Sequence, residues 1–185
     1  MVTNVAEFFG RAGVSNDGFI GGWTRESVLA EVARRRAANL PPLSPTEYLS
    51  PEFIANHLRQ FDDGASFLVP RDILDRYGRN LLGYPDNTQF VVPRSQMDNL
   101  LQRTNRNIAE IEIELGITAG SWQNRELVRI DIPDPRSLNL RMSSGNEMGA
   151  DRLLWIPGGR LPTGYSEAVI DNIPLGRYIE RTIMP

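Results

Sequence analysis

Apolar residues recur at helical spacing in several stretches between residues 24 and 115 of this chain. Val28, Leu29 and Val32 share one face of a segment that follows Thr24, a favourable N-cap. Gly116 supplies a stop signal after the last of these stretches. The pattern predicts helices over residues 25–38, from Ser50-Pro51 onward, over 71–77, after Pro93-Arg94, and over 107–115.

Short apolar runs bounded by glycine and proline predict strands, most of them late in the chain. The predicted strands are residues 65–69, 89–92, 126–132 with one solvated face, 153–156, 168–170 and 178–179. Regular alternation of strand and helix is missing, so a doubly wound sheet is not expected. We therefore expect an α+β fold, with N-terminal helices followed by a bent, mainly antiparallel sheet and short helices.

Three prolines, Pro41, Pro42 and Pro45, form a stiff extended segment. They divide the chain into an N-terminal helical extension with its linker (1–46) and an α+β domain (47–185). We expect a short helix followed by a loop over residues 1–22, and we expect that segment to be dispensable for chemistry.

Composition excludes several classes of site. The chain of 185 residues has no Cys and one His, so thiolate chemistry and a multi-histidine metal site are not expected. It has no apolar run long enough to span a bilayer, and its net charge of -3 argues against a broad nucleic-acid footprint. All 20 basic residues are Arg, which fits either a GC-rich genome or a protein delivered into a cytosol where lysine is the site of ubiquitin attachment.

Carboxylates, arginines, hydroxyls and aromatics remain, and this set suits the cleavage of an N-glycosidic bond. Cleavage develops an oxocarbenium-like cation, which a fixed carboxylate stabilises. Glu167 and Glu147 stand beside glycine-marked corners in the late, strand-rich stretch, and both are candidate catalytic residues. Two bland alternatives remain open: Glu167 on a solvated strand face, and Asn146-Glu147 as a simple turn.

The segment LRMSSGNEMGADRLLWIPGGRLPTGYSEAVID resembles toxin domains at the C-termini of bacterial polymorphic toxins, of the Rhs and contact-dependent inhibition types. The resemblance extends upstream through YLSPEFIANHL, SFLVPRDIL and FVVPRSQMDNLL. The order of elements is also similar to the Arg, Ser and Glu layout of ADP-ribosyltransferases, which implies Arg71, Ser95 and Glu167 here. This chain departs from that layout, because Ser95 lacks its neighbouring Thr and Ser, and Tyr165 stands where an acidic or amide residue is usual.

The resemblance implies a bacterial toxin or effector that uses NAD as a substrate, as a mono-ADP-ribosyltransferase or an NAD glycohydrolase, without a metal. The residues expected to bind NAD are Arg71, Ser95, Arg141, Asn146 and Trp155. We expect a monomer, secreted or injected into a target cell, acting on a protein or RNA there and neutralised by an immunity protein. Two alternatives stay open: a ribonuclease toxin using His57 as general acid and base, and a non-enzymatic effector that binds a protein through its Arg-rich N-terminal helix.

Overall fold

The computed structural model describes residues 17–184, which form five α-helices, seven β-strands and two short 3₁₀ turns (Pro45–Glu47 and Pro135–Leu138). The helices are α1 (Arg25–Ala37), α2 (Pro51–Arg59), α3 (Arg71–Tyr77), α4 (Arg94–Arg103) and α5 (Ile108–Leu115). The strands are β1 (Ala65–Pro70), β2 (Leu81–Leu82), β3 (Gln89–Pro93), β4 (Leu127–Ile132), β5 (Ala168–Ile170), β6 (Ile173–Pro174) and β7 (Ile179–Thr182).

The helix boundaries follow from capping. Thr24 accepts a hydrogen bond from the backbone N–H of Ser27 and forms a capping box with it. Ser50 and Asn107 cap α2 and α5 without a capping box, each accepting a backbone N–H three residues on. Gly116 ends α5 in the left-handed conformation, with φ of 69°.

Five strands form one antiparallel sheet in the order β5-β3-β1-β4-β7, and β2 pairs with β6 in a separate two-stranded ladder. The register pairs Val91 with Ala168, Val92 with Ser66, and Ser66 with Asp131. The architecture is therefore α+β with a mainly antiparallel sheet.

The strand predicted over residues 153–156 is wrong. Asp151 accepts the backbone N–H groups of Leu153 and Leu154 on its carboxylate, and its carbonyl accepts the N–H of Trp155. This capping winds the segment into turns, with Leu153 exposed and Trp155 buried.

The solvated face predicted for residues 126–132 is also wrong, because every residue of β4 is buried. The polar members of that face are satisfied inside the protein. Arg129 pairs with Asp131 at 2.6 Å and with Asp98 of α4 at 2.6 Å. Ion pairs of Arg129 with Asp131 and with Asp98 of α4 thus replace the contact with water that the alternation of polar and apolar residues predicts.

Helix α1 packs on the part of the chain that lies between β4 and β5. Val28 and Val32 form one core cluster with Leu43, Tyr48, Leu49, Met142 and Trp155. Arg36 of α1 also donates a hydrogen bond of 2.8 Å to the carbonyl of Gly145. Residues before and after the predicted boundary at 46 therefore share a core, and the division into two domains stays a prediction.

Two expectations concern other parts of the chain. The short helix and loop predicted over residues 1–22 fall largely outside the described residues, which begin at residue 17. Between residues 17 and 184, no helix has the length and apolar character needed to cross a membrane.

Candidate active site

Two adjoining cavities form a cleft between the sheet, the end of α5 and the segments around residues 149–155 and 159–167. The smaller cavity, of about 190 Å³, is named the inner cavity here, and the larger one, of about 360 Å³, the outer cavity. The outer volume alone falls in the range that small-molecule sites occupy. Six residues line both cavities and mark where they meet: Phe90, Leu115, Ile117, Gly149, Leu161 and Glu167.

The two cavities differ in chemistry. Side chains around the inner cavity are mostly apolar and aromatic, including Phe67, Leu68, Tyr84, Met97 and Trp122. The outer cavity is also lined mostly by apolar side chains, but it has more hydroxyl and charged side chains than the inner one: Thr118, Ser121, Asp151, Arg160 and Thr163. A ligand that fills both would meet mostly apolar walls, with charged partners on the outer cavity and at the junction.

Glu167 lies at the junction of these cavities, immediately before β5. It is only 8% exposed, and the described residues give its carboxylate neither a hydrogen bond nor an ion pair. Burial, with a smaller contribution from the negative charge of Glu147, raises the pKa of Glu167 to about 8. The charged form of this side chain is therefore costly in the unliganded protein.

The backbone around Glu167 forms a tight hairpin. The N–H of Glu167 donates to the carbonyl of Gly159, and the N–H of Leu161 donates to the carbonyl of Tyr165. The corner at residues 162–164 closes the hairpin, with Gly164 at φ of 102°. Ala168, directly after Glu167, is fully buried and pairs with β3. The carboxylate thus leaves a backbone that is fixed on both sides.

Glu147 does not line either cavity. Its carboxylate accepts hydrogen bonds from the backbone N–H groups of Ser144 and Gly145, at 2.7 and 2.9 Å, and from the Ser144 hydroxyl at 2.9 Å. These bonds close the turn that carries Asn146, whose exposed side chain contacts Arg36 at 3.4 Å. The Asn146-Glu147 pair therefore shapes the turn, and its negative charge reaches Glu167 only as an electrostatic influence.

Trp155 lines the outer cavity and is 7% exposed. Its indole N–H donates to the hydroxyl of Ser143 at 2.9 Å. One side of its ring covers Gly145, where a Cβ would lie 2.6 Å from the ring. Trp155 is therefore both a core residue and part of the cavity wall.

The structure does not bring Arg71 to Glu167. Glu167 lies at the end of the sheet where β3 ends and β1 begins, because Ala168 pairs with Val91 and Val92 pairs with Ser66. Arg71 follows the last residue of β1, five residues beyond Ser66, or roughly 17 Å along the strand. Its guanidinium pairs with Glu126 at 3.0 Å.

Ser95 and Arg141 also lie outside both cavities. Ser95 is at the same end of the sheet as Glu167, exposed in the first turn of α4. Arg141 pairs with Asp171 at 2.8 Å. Of the seven predicted site residues, the structure brings together Glu167 and Trp155 in one cleft, and it places the other five elsewhere.

His57 is 4% exposed and lines neither cavity. Its Nε2 lies 2.8 Å from the carbonyl oxygen of Glu167 and its Nδ1 lies 3.3 Å from the amide nitrogen of Gln60. Burial lowers the pKa of His57, which favours the neutral ring. These contacts engage both ring nitrogens within the fold.

Arg160 is a cleft residue that the sequence pattern did not single out. It is exposed on the outer cavity, across the hairpin from Ser166, and the described residues give its guanidinium no ion pair. One signal in the sequence could have indicated Arg160 as a site residue. It lies between the glycines 158–159 and the corner at 162–164, seven residues before Glu167. A guanidinium in this position can bind a phosphate through two parallel hydrogen bonds.

The chain matches no model of a known protein family, and it has no significant match among curated proteins. In the described part of the chain, no cluster of His, Asp and Glu side chains is arranged to hold a metal ion. The case for a function therefore comes from the chemistry of the cleft.

Proposed function

We propose that this protein cleaves the bond between nicotinamide and ribose in NAD, with Glu167 as the catalytic carboxylate. The ADP-ribose is transferred to water or to a macromolecule of a target cell. The observation that carries this proposal is the state of Glu167, a buried carboxylate without a protein partner at the junction of two cavities.

A buried carboxylate without a partner is destabilising unless something else supplies a compensating charge. In this cleft the compensating group would come from the ligand. The nicotinamide ring of NAD carries a positive charge, and the C1′ atom of its ribose becomes cationic as the bond breaks. A carboxylate held at a fixed position stabilises such a developing charge most strongly when water is excluded.

The shape of the cleft supports the same substrate. The inner cavity is lined by the aromatic side chains of Tyr84, Phe90 and Trp122, which suit the planar nicotinamide ring. The outer cavity offers hydroxyls and Arg160, which suit the ribose and the pyrophosphate. The glycosidic bond would then lie beside Glu167, where the two cavities meet.

In the proposed reaction the C1′–N bond breaks and its electrons stay with the nicotinamide, which leaves as a neutral base. The ionised carboxylate of Glu167 stabilises the oxocarbenium ion that remains. Water adds to C1′ and releases a proton, giving ADP-ribose, or a nucleophile of an acceptor adds in its place. Tyr165 stands where the resembled family has an acidic or amide side chain that activates an acceptor; a phenol has no carboxylate for that role, and its hydroxyl accepts a hydrogen bond from Arg103.

The finer parts of the proposal rest on the sequence. The ADP-ribosyltransferase-like fold, the toxin role and delivery into a target cell follow from the resemblance and from the absence of lysine. A ribonuclease is less favoured, because its general acid and base would be His57, which lies outside both cavities.

The test is incubation of the purified protein with NAD, with nicotinamide and ADP-ribose separated by liquid chromatography. The proposal predicts release of nicotinamide that falls about 100-fold or more in Glu167→Gln, which is the loss expected when one preorganised electrostatic group is removed. Glu110→Gln, an exposed glutamate on α5, is the matched control and should keep full activity. Labelled NAD and a cell lysate separate transfer from hydrolysis. Absence of nicotinamide release by the wild type with both water and lysate would refute the proposal.

A further inference from the structure

We infer that four polar side chains, the buried His57 and Ser166, the half-buried Gln96 and the exposed Gln60, form a positioning network that fixes the backbone beneath the Glu167 carboxylate. The four are called the positioning network below. The inference rests on the proposed function, because it assigns these residues a role in holding the proposed catalytic group.

The sheet itself does not hold this part of the chain. The ladder between β5 and β3 covers only the pairs from Ala168 to Ile170, so Ser166 and Glu167 lie beyond its end. Backbone polar groups that are buried beyond a ladder need other partners. Side chains from two helices supply these partners here.

Each contact is directed at the Ser166–Glu167 segment. The N–H of Ser166 donates to the side-chain oxygen of Gln96 at 2.7 Å. The Ser166 hydroxyl donates to the side-chain oxygen of Gln60 at 2.9 Å, and the Gln96 amide reaches the same oxygen at 3.3 Å. His57 contacts the Glu167 carbonyl, so α2 and α4 both hold this corner.

The chemistry of His57 assigns the direction of its bonds. A carbonyl oxygen only accepts, so Nε2 of His57 carries the proton and donates to Glu167. Nδ1 then accepts from the amide of Gln60, at 3.3 Å. Phe53 and Phe61 flank the ring, with centroids 6.2 and 6.0 Å away, so its orientation is fixed on both sides.

Gly159 makes this approach possible. Its φ is 74°, and a Cβ at this position would lie 2.5 Å from Nε2 of His57. Any larger residue would displace the imidazole from the Glu167 carbonyl. The glycine therefore serves the hairpin conformation and the contact with His57 together.

The consequence concerns geometry at the carboxylate. Because the described residues do not contact the Glu167 carboxylate by hydrogen bond or ion pair, its position depends on its backbone. A small displacement of a reacting group lowers the rate strongly while leaving substrate binding nearly unchanged. The positioning network should therefore affect kcat and leave KM nearly unchanged.

The test compares His57→Phe with His57→Gln. Phenylalanine keeps the planar ring and removes the donor, whereas the amide nitrogen of glutamine can replace Nε2. We expect kcat for nicotinamide release to fall about tenfold or more in His57→Phe, with KM within about twofold. His57→Gln should recover most of the loss. Ile54→Val on the same helix is the control for simple destabilisation and should keep the wild-type kcat.

A second readout does not need catalysis. The side-chain carboxyl carbon of Glu167, assigned by its loss in Glu167→Gln, can be titrated by ¹³C NMR. His57→Phe should lower the pKa of Glu167 by about half a unit or more, because a freed corner lets the carboxylate move from its buried position further into the solvent of the cleft. Among the described residues, the charge of Glu147 acts on this carboxylate, and Asp151 and Arg160 line the outer cavity with it; none of the three is altered.

Two results would overturn the positioning role: a Glu167 titration unchanged in His57→Phe, or a His57→Gln variant as impaired as His57→Phe. If His57→Phe does not fold, Gln96→Met removes the acceptor for the Ser166 N–H from the partly exposed helix α4. It should lower kcat and the Glu167 pKa in the same direction. Because the titration does not depend on turnover, it supports or overturns the network even if the wild type releases no nicotinamide.

Discussion

Replacing Glu167 by Gln should stabilise this protein at alkaline pH while it lowers the release of nicotinamide about 100-fold or more. Gln has nearly the same shape as Glu and cannot ionise. In the folded protein the pKa of Glu167 is raised from 4.5 to about 8, whereas in the unfolded chain it returns to its ordinary value. Between these two values the folded state holds one proton more than the unfolded state, so its stability falls as pH rises through this window.

The size of the effect follows from the same two values. At about 1.36 kcal/mol per pKa unit, the charged form of Glu167 destabilises the folded protein by up to roughly 5 kcal/mol once the pH exceeds 8. Below pH 4.5 the penalty disappears, because both states hold the proton. Glu167→Gln should therefore match the wild type near pH 4.5 and become more stable than it by several kcal/mol near pH 9.

Urea unfolding followed by tryptophan fluorescence, at pH 5 and pH 9, measures this difference. Glu112→Gln is the matched control, since Glu112 is 2% exposed but accepts the backbone N–H groups of Gly120 and Trp122. It should lose stability at both pH values. A Glu167→Gln variant whose stability relative to the wild type does not change between pH 5 and pH 9 would refute the argument from burial.

Three further predictions concern the cleft and its support. The value of kcat/KM for NAD should rise about tenfold per pH unit up to about pH 8 and then level off, as Glu167 ionises; a flat profile from pH 6 to 9 contradicts the assignment. Arg160→Lys should raise KM for NAD about tenfold or more, because lysine cannot make a bidentate phosphate contact. Arg71→Lys, which lies outside the cleft, should leave KM unchanged. Equal effects of the two variants in steady-state kinetics would count against Arg160. Arg36→Ala should lower the free energy of unfolding by about 1 kcal/mol through the lost bond to Gly145, whereas Arg34→Ala, paired only within its helix, should change it by less than about 0.5 kcal/mol.

Local signals in the sequence predicted much of the secondary structure. The caps at Thr24 and Ser50 and the stop at Gly116 operate as predicted, whereas Asn107, predicted as the first helical residue, is the N-cap of α5. Two buried strands end at Pro-Arg and lead directly into helices, as predicted. These features depend on contacts within a few residues, which periodicity and turn chemistry describe well.

The errors in the predictions arose where contacts between residues far apart in the sequence determine the position or burial of a side chain. The sheet order places Arg71 and Glu167 at opposite ends, and no local pattern specifies strand order. The alternation in β4 correctly marks two faces, but Arg129 and Asp131 satisfy each other instead of facing water. His57 is more buried than Ile54 or Leu58 of the same helix, because the hairpin before β5 covers it.

The candidate site was predicted only in part. The proximity of Glu167 to a glycine-marked corner and an apolar run indicated a carboxylate held at the start of a strand, and the structure has this arrangement. Its isolation from every described partner depends on which chain segments surround it, and this is set by packing. The same holds for Arg160, whose position on the outer cavity follows from the folding of the hairpin.

The most decisive experiment is to titrate the Glu167 carboxyl by ¹³C NMR, with and without a carbocyclic NAD analogue that keeps the positive nicotinamide ring and cannot be cleaved. We expect a pKa near 8 in the free protein and a fall of about one unit or more when the analogue binds, because the cation supplies the partner that the fold does not. The same titration with a carbocyclic analogue of reduced NAD, whose ring is neutral, should show no such fall. A pKa for Glu167 that stays the same with the cationic analogue bound would contradict its assignment as the carboxylate that stabilises the developing cation.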